Sequence, residues 1–413
     1  MAAIALALWA APGCAADTVG DRQPISIEQA LAAGAQANID LSSARNASRT
    51  AQAALRSADT APNPTLSFNI VSFRPNRIGQ LPADRISDDI VRLDFPIERG
   101  GKRRARVGAA QAGLIAATAD VANTGREVQE QISTAFYGLM AAERRLALFS
   151  AIAESYRTSQ VLGDRRLKAG AISGGDFARQ KVETLRAQSA VAQAQNDLRD
   201  AQLSLAVLIG RERDAAVLET VGDWPSAADV RAIDPDMLAD RRPDVQAAFA
   251  RVEQARRQLD GAHALRHPDV TAGLQLENDP NGVGSSIGVG LSFPIPIRNR
   301  YRGEVAAAST GVNQAEALAA KARAVAVAEI VIARRAVDTT SQRRIEFDTQ
   351  QLPAARKAAQ TAEFSYAQGA LALLDLLDAR RTLQSVELAA IDARNDEALA
   401  IARLRAAEFT GEQ

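Results

Sequence analysis

Two histidines, one cysteine and three methionines in 413 residues leave too few imidazole or sulfur ligands for zinc, copper or iron–sulfur chemistry. The cysteine, Cys14, has no second thiol to pair with, so no intrachain disulfide can form. Aromatic residues make up only 4% of the chain, too few for one thick globular core. Neither sign of charge is in excess. The 49 Lys and Arg balance 49 Asp and Glu, which does not suit a protein that neutralises nucleic-acid phosphate, and no nucleic-acid partner is expected. No apolar run of transmembrane-helix length follows the N-terminus, so any passage through a bilayer must be by β-strands. Alanine is what abounds: it is roughly a fifth of the chain, well above ordinary usage. Small side chains among many charges suit long, closely packed helices.

Residues 2–16, AAIALALWAAPGCAA, form an apolar run that ends in small residues. The run matches the hydrophobic core and cleavage region of a secretory signal and is too short to span a bilayer, so 1–16 is expected to be a signal peptide. No Lys or Arg precedes Arg22, so the usual basic start is missing. Cleavage after Ala15 or Ala16 is the simplest reading. Cys14 as a lipid acceptor is the alternative, although Ala11-Pro12-Gly13 before it fits a lipobox poorly.

The chain repeats itself. Leu93-Asp94-Phe95-Pro96-Ile97 recurs as Leu291-Ser292-Phe293-Pro294-Ile295, 198 positions later. Gly170-Ala171 followed by Asp176 recurs as Gly369-Ala370 followed by Asp375, 199 positions later. Asn63-Pro64 before one β-like stretch is mirrored by His267-Pro268 before another. The pattern divides the protein into a first repeat over 17–209, an irregular linker over 210–240 and a second repeat over 241–413. Asp223-Trp224-Pro225 and Asp234-Pro235-Asp236 mark the linker as irregular.

Each repeat has one order of elements. A helix comes first, over 26–61 with Ser26 as its N-cap, or over 242–266. Two strands follow, over 65–73 and 86–96, or 269–277 and 286–295. A long helix then runs over 102–168 or 301–367, with Pro353 its one internal proline. A return helix over 176–209 or 376–409 closes the unit. The long helices would each reach roughly 100 Å. Within the first, Val128, Ile132, Ala135, Leu139, Ala142, Leu146 and Phe149 are spaced alternately four and three apart, the seam of a coiled coil.

The strands alternate cleanly. Val270, Ala272, Leu274 and Leu276 interleave with Thr271, Gly273, Gln275 and Glu277, while Ile287, Val289, Leu291 and Phe293 interleave with Gly288, Gly290 and Ser292. Leu66, Phe68 and Ile70, and Val91, Leu93 and Phe95, behave in the same way. A run of about 10 residues is what a tilted strand needs to cross a membrane. Four strands cannot close a pore-sized barrel, so a barrel requires several copies.

At this point the residues resemble a known family. Helix, hairpin, Phe-Pro-Ile, long helix, Gly-to-Asp turn and return helix, given twice, are similar to the TolC-like outer-membrane efflux proteins. The stretches 241–273, 289–308 and 95–110 look most like the branch concerned with cobalt–zinc–cadmium resistance. The resemblance implies a mostly α fold with a transmembrane β part: a trimeric, 12-stranded β-barrel mounted on a long α-helical coiled-coil barrel. It implies an outer-membrane location reaching into the periplasm. It also implies a passive, gated exit duct with no enzymatic activity and no cofactor. The partners would be two further copies of the chain, outer-membrane lipid, a periplasmic adaptor (membrane fusion) protein and an inner-membrane RND pump. Heavy-metal cations are the cargo expected first, and drugs or other small molecules the alternative. A soluble coiled-coil scaffold is the rival from another class; it would explain the heptads but not the duplicated strands. A hydrolase with a carboxylate pair is a further rival, without a pocket-forming signature.

The helix reversals carry the candidate sites. Gly170 and Gly369 supply the positive φ that ends a helix, and the aspartates six residues later are expected to cap the next one. By resemblance these tips dock the adaptor, through Gly170, Ala171, Ser173, Asp176, Gly369 and Ala370. Asp375 and Asp378 stand i, i+3 on one helix face and match the family's paired aspartates at the periplasmic gate. A trimer would bring six carboxylates together, a ring that attracts cations and whose mutual repulsion raises carboxylate pKa values. Arg179 stands where the first repeat would need its second aspartate. His263 and His267 have a spacing that could bind metal, but Pro268 ends their helix and no third ligand is at hand. They read as surface or barrel-rim residues, and no metal site is expected. Gly282-Val283-Gly284 reads as a hairpin turn, not a phosphate loop.

Overall fold

A computed structural model describes residues 23–71, 75, 88–227, 234–279 and 284–411. The expected signal segment with Cys14, and Gly282-Val283 of the second hairpin, lie outside the described residues. In chain order the elements are β1 (Gln23–Ile25), α1 (Ile27–Ala37), α2 (Ile39–Ala58), β2 (Thr65–Val71), β3 (Asp88–Ile97), α3 (Lys102–Lys168) and α4 (Gly174–Ile209). After them come β4 (Leu218–Thr220), α5 (Pro235–Arg241), α6 (Pro243–Ala264), β5 (Val270–Asp279), β6 (Gly284–Ser292), α7 (Arg302–Glu346), α8 (Leu352–Ala367) and α9 (Leu373–Ala407). Helix, hairpin, long helix and return helix thus occur twice.

The described residues form two compact units, each drawing on both halves of the sequence. One takes in residues up to 38, from 128 to 227 and from 335 to 403; the other takes in the remainder. In the first unit the core gathers around the middle of α3. Val128, Ile132, Phe136, Leu139 and Met140 are buried against Ala30 of α1, Leu205 and Ile209 of α4, and Leu218 of β4. The heptad positions Val128, Ile132 and Leu139 lie in this core, but Phe136, Tyr137 and Met140 are buried beside them. Here α3 is covered on a broader face than a two-helix seam requires, because α1 and the short parallel pair β1–β4 also pack on it. Ser26 caps α1 with a full capping box: its Oγ accepts the Gln29 N–H, and the Gln29 side chain accepts the Ser26 N–H at 3.0 Å.

Two helical stretches differ from the sequence expectation. The run over 26–61 is two helices, parted at Asn38, whose side-chain amide donates to the Leu208 carbonyl at 3.2 Å. The run over 301–367 is interrupted by one π-helical turn, Phe347–Gln351, directly before Pro353. Proline has no N–H and crowds the carbonyl four residues back, and the wider turn relieves that conflict without ending the helix.

The second unit holds an antiparallel sheet in the order β2-β3-β5-β6, so the two hairpins are joined through β3 and β5. Between α5 and α6 of this unit, Arg242 is only 1% exposed and sits between Asp244 at 2.7 Å and Glu329 at 2.8 Å. Burial works against its charge, but the two carboxylates outweigh it and raise the guanidinium pKa. Asp244 is likewise desolvated, and its hydrogen bond and charge contact with Arg242 nevertheless hold its carboxyl below the usual range.

Candidate functional site

The sheet sorts its side chains by face. The register places Phe68 opposite Val91, Val91 opposite Leu276 and Leu276 opposite Ile287. One pair along, Leu66, Leu93, Leu274 and Val289 form a second apolar row on the same face. Strand residues alternate between faces, so the other face carries Ser67, Arg92, Gln275 and Gly288. On that polar face Arg92 Nε lies 2.8 Å from Asp94 Oδ1, and Gln275 donates to Glu277 at 3.1 Å. Gly273 makes room for the ion pair, since a Cβ there would lie 2.6 Å from Asp94 Oδ1.

The apolar face is the uncovered one. Ile287, Val289 and Leu291 are 76%, 86% and 73% exposed, and Leu66, Phe68 and Ile70 are exposed as well. An isolated half-buried hairpin would turn these residues inward. Both edges, β2 and β6, also lack a strand partner among the described residues. An apolar sheet face with two open edges calls for lipid on one side and further strands at both ends. Among the described residues no helix is long and apolar enough to cross a membrane.

At the first reversal, Gly170 has φ +70° and the Ala171 N–H donates to the Arg166 carbonyl at 2.8 Å, closing α3. At the second, Gly369 has φ +76° and the Ala370 N–H reaches the Ser365 carbonyl at 2.9 Å. Gly170, Ala171, Ser173, Gly369 and Ala370 are all exposed. The capping role expected of the aspartates falls elsewhere. Ser173 is the N-cap of α4 and its Oγ accepts the Asp176 N–H at 3.0 Å. Asp176 and Asp375 are each the third residue of their helix, one turn too late for the N-cap position.

Asp375 and Asp378 are exposed on α9, while Leu376 and Leu377 between them are buried. The turn that follows is tethered. Arg381 Nη2 lies 2.6 Å from Glu183 Oε1 on α4, and Arg380 Nη2 lies 2.9 Å from Glu363 Oε1 on α8. Arg380 also donates to Ser159 Oγ at 3.0 Å and lies over the Tyr156 ring of α3. Burial raises the Tyr156 pKa, with Glu183 adding to the effect. Sequence reasoning stopped at the aspartates and missed this frame. The Arg380-Arg381 doublet two residues on was its only local sign, since the partners are remote in sequence. His263 and His267 are exposed and line one shallow cleft beside Gly100. Among the described residues no group of three or more His, Cys, Asp or Glu could hold a metal ion.

A sheet with an uncovered apolar face and two open edges, in a chain otherwise built of long helices, is the pattern of an outer-membrane channel subunit. Residues 27–211 and 235–408 match the outer membrane efflux protein family, and the chain belongs to that family. It is 26% identical over 259 residues to the cobalt-zinc-cadmium resistance protein CzcC of Cupriavidus metallidurans, a match covering 62% of this chain and 59% of that relative's length. The fold is also that of a Pseudomonas aeruginosa membrane protein (TM-score 0.80, 21% identity, 93% of each chain). The Campylobacter jejuni CmeC outer membrane channel shares it too (TM-score 0.81, 16% identity, 99% of this chain and 94% of that one). The protein is therefore an outer membrane efflux protein that reaches into the periplasm. That location sets aside the soluble scaffold.

Proposed function

We propose that three copies of the chain form the exit duct of a tripartite efflux system, and that its cargo is heavy-metal cations such as cobalt, zinc, cadmium and nickel. The sheet carries this reading: an uncovered apolar face and two open edges suit a subunit that contributes four strands to a shared barrel of twelve. Its polar face then lines a water-filled lumen. Residues 17–209 and 241–413 supply the two repeats and 210–240 part of a belt around an α-helical barrel below. An inner-membrane RND pump provides the energy and first selects the cargo. A periplasmic adaptor joins pump to duct and docks on Gly170, Ala171, Ser173, Asp176, Gly369 and Ala370; all but the half-buried Asp176 are small and exposed, which suits end-to-end packing. Asp375 and Asp378 of three copies gate the periplasmic mouth and draw cations to it. Similarity to the cobalt-zinc-cadmium resistance protein supports the metal cargo.

Deleting the gene and measuring growth on graded cobalt, zinc, cadmium and nickel, against a panel of dyes, tests the cargo. Loss of metal tolerance with dye tolerance intact is the expected result. The reverse pattern assigns the duct to organic molecules.

A further inference from the structure

The connection from β6 to α7 reads Phe293-Pro-Ile-Pro-Ile-Arg-Asn-Arg-Tyr-Arg302, and it differs in charge pairing from its counterpart in the first repeat. There Lys102, Arg103 and Arg106 are matched by Asp269, Asp59 and Glu98, while the exposed Arg99 and Arg104 have no carboxylate partner among the described residues. Here Arg298, Arg300 and Arg302, with nearby Arg266, are exposed and have no carboxylate partner among the described residues. Arg266, Arg300 and Arg302 line a cleft of about 500 Å³ together with Pro296 and Tyr301. A second cleft, of about 530 Å³, shares Pro296 and Tyr301 and is walled mainly by Leu265, Pro294, Ile295 and Ile297. Among the described residues Tyr301 is the non-glycine residue with positive φ, +55°, and Asn299 Oδ1 accepts its N–H at 2.8 Å. Such strain persists only where the surroundings over-determine it, and here it sits on the wall between a cationic cleft and an apolar one.

We propose that this pair of clefts binds an anionic phospholipid of the periplasmic leaflet, its phosphodiester held by Arg266, Arg300 and Arg302 and its acyl chain laid along Ile295 and Ile297. The inference rests on the barrel reading and names the lipid that meets the barrel's lower rim. Continuity supports it. Ile287, Val289 and Leu291 of β6 are exposed, and the connection after the strand adds exposed Phe293, Ile295 and Ile297 before its first arginine, Arg298, where an acyl layer would give way to headgroups. Free phosphate would use the cationic cleft but leave the apolar one without a role. Paired basic side chains beside membrane-facing apolar surface are the chemistry that selects anionic over zwitterionic headgroups.

Native mass spectrometry on the purified full-length assembly, with phosphatidylglycerol or phosphatidylcholine added at equal concentration, tests the inference. Wild type should retain phosphatidylglycerol with a preference of about tenfold or more. Arg266→Gln with Arg300→Gln and Arg302→Gln should abolish the preference. Equal retention of both lipids by the wild type overturns the inference without reference to any variant. Complete displacement of phosphatidylglycerol by inorganic phosphate at matched concentration also overturns it and gives the cleft to the free ion. Conductance of the same preparation in planar bilayers separates the two readings. Channels without lipid preference leave the duct standing and remove only the lipid site, whereas failure to enter bilayers removes both.

Discussion

Arg381 Nη2 stands 2.6 Å from Glu183 Oε1, joining α9 to α4 three residues beyond Asp378. The Glu183 side chain is 10% exposed and the Arg381 side chain 48%, so solvent screens one end of the pair. Arg381→Ala leaves Glu183 with Arg186 at 2.9 Å as its remaining partner. The expected cost is about 1 kcal/mol, read as a lower unfolding temperature in detergent. Freed at that turn, α9 should also let single-channel conductance rise, and Arg381→Lys should restore part of both. A variant with wild-type melting and conductance would show that the pair has no part in setting α9.

The two aspartates make a separate prediction. Asp375→Ala with Asp378→Ala should raise conductance in planar bilayers and weaken block by multivalent cations, because on the proposed reading six carboxylates leave the periplasmic mouth. Neither side chain is buried, so folding should be little affected. Conductance and block that match wild type would remove the gate assignment.

What the sequence made legible follows from the range of each signal. Strand alternation has a period of two and survives in any hairpin, so residues such as Leu274 and Ile287 could be assigned to one face before their register was known. The duplication was legible because Gly170 and Gly369 hold the same positive-φ position in the two reversals, and Phe95 and Phe293 recur near the end of the second strand of each hairpin. The β1–β4 pair was not legible: three residues carry no period, and its order comes partly from Gln202, which donates to the Leu218 carbonyl at 2.9 Å. Nor was the frame around the aspartates, since Arg381 and Glu183 are 198 positions apart. Asp176 does not cap α4 because Ser173, three residues earlier, already holds the N-cap position and accepts the Asp176 N–H.

Acid should act on the second unit through Asp244. Its folded-state pKa lies below the ordinary 3.8, so its contribution is fully present above that value and is lost as pH falls through the lowered one. Asp244→Asn should flatten the acid limb of a melting-temperature profile below about pH 3.8. Arg242→Met, which strands Asp244 and Glu329 without their common partner, should cost about 3 kcal/mol at neutral pH. A variant profile that parallels wild type throughout would show that the cluster is not what titrates.

Glu143 should behave in the opposite sense. Burial raises its pKa above the ordinary 4.5, against the hydrogen bonds it accepts from the Thr220 N–H at 2.9 Å and from the Thr220 hydroxyl. The folded state therefore binds this proton more tightly than the unfolded chain, and stability falls as pH rises through the raised value. Glu143→Gln keeps an acceptor for the Thr220 N–H and carries no charge. It should match or exceed wild-type melting temperature at neutral pH and lose that advantage below about pH 4.5. Marked destabilisation at neutral pH would show that the ionised carboxylate is needed to hold β4.

Gly34 and Ile132 test how closely α1 approaches α3. Glycine inside a helix is less stable than alanine by roughly 0.5–1 kcal/mol, so on propensity alone Gly34→Ala should help. A Cβ at Gly34, however, would lie 2.1 Å from Ile132 Cδ1, and Ile132 is fully buried. In a packed core such an overlap costs about 1–3 kcal/mol, so the clash should outweigh the propensity and Gly34→Ala should destabilise. Ile132→Val removes the offending methyl and should cost about 0.5–1.5 kcal/mol alone. The remaining Cγ1 contact, 3.4 Å from the new Cβ, is tight but tolerable. The double variant should therefore be more stable than Gly34→Ala by itself, a coupling of opposite sign to either single effect. Additive losses in that cycle would mean that α1 can move off α3 to accept the methyl, and that the glycine is not there for close approach.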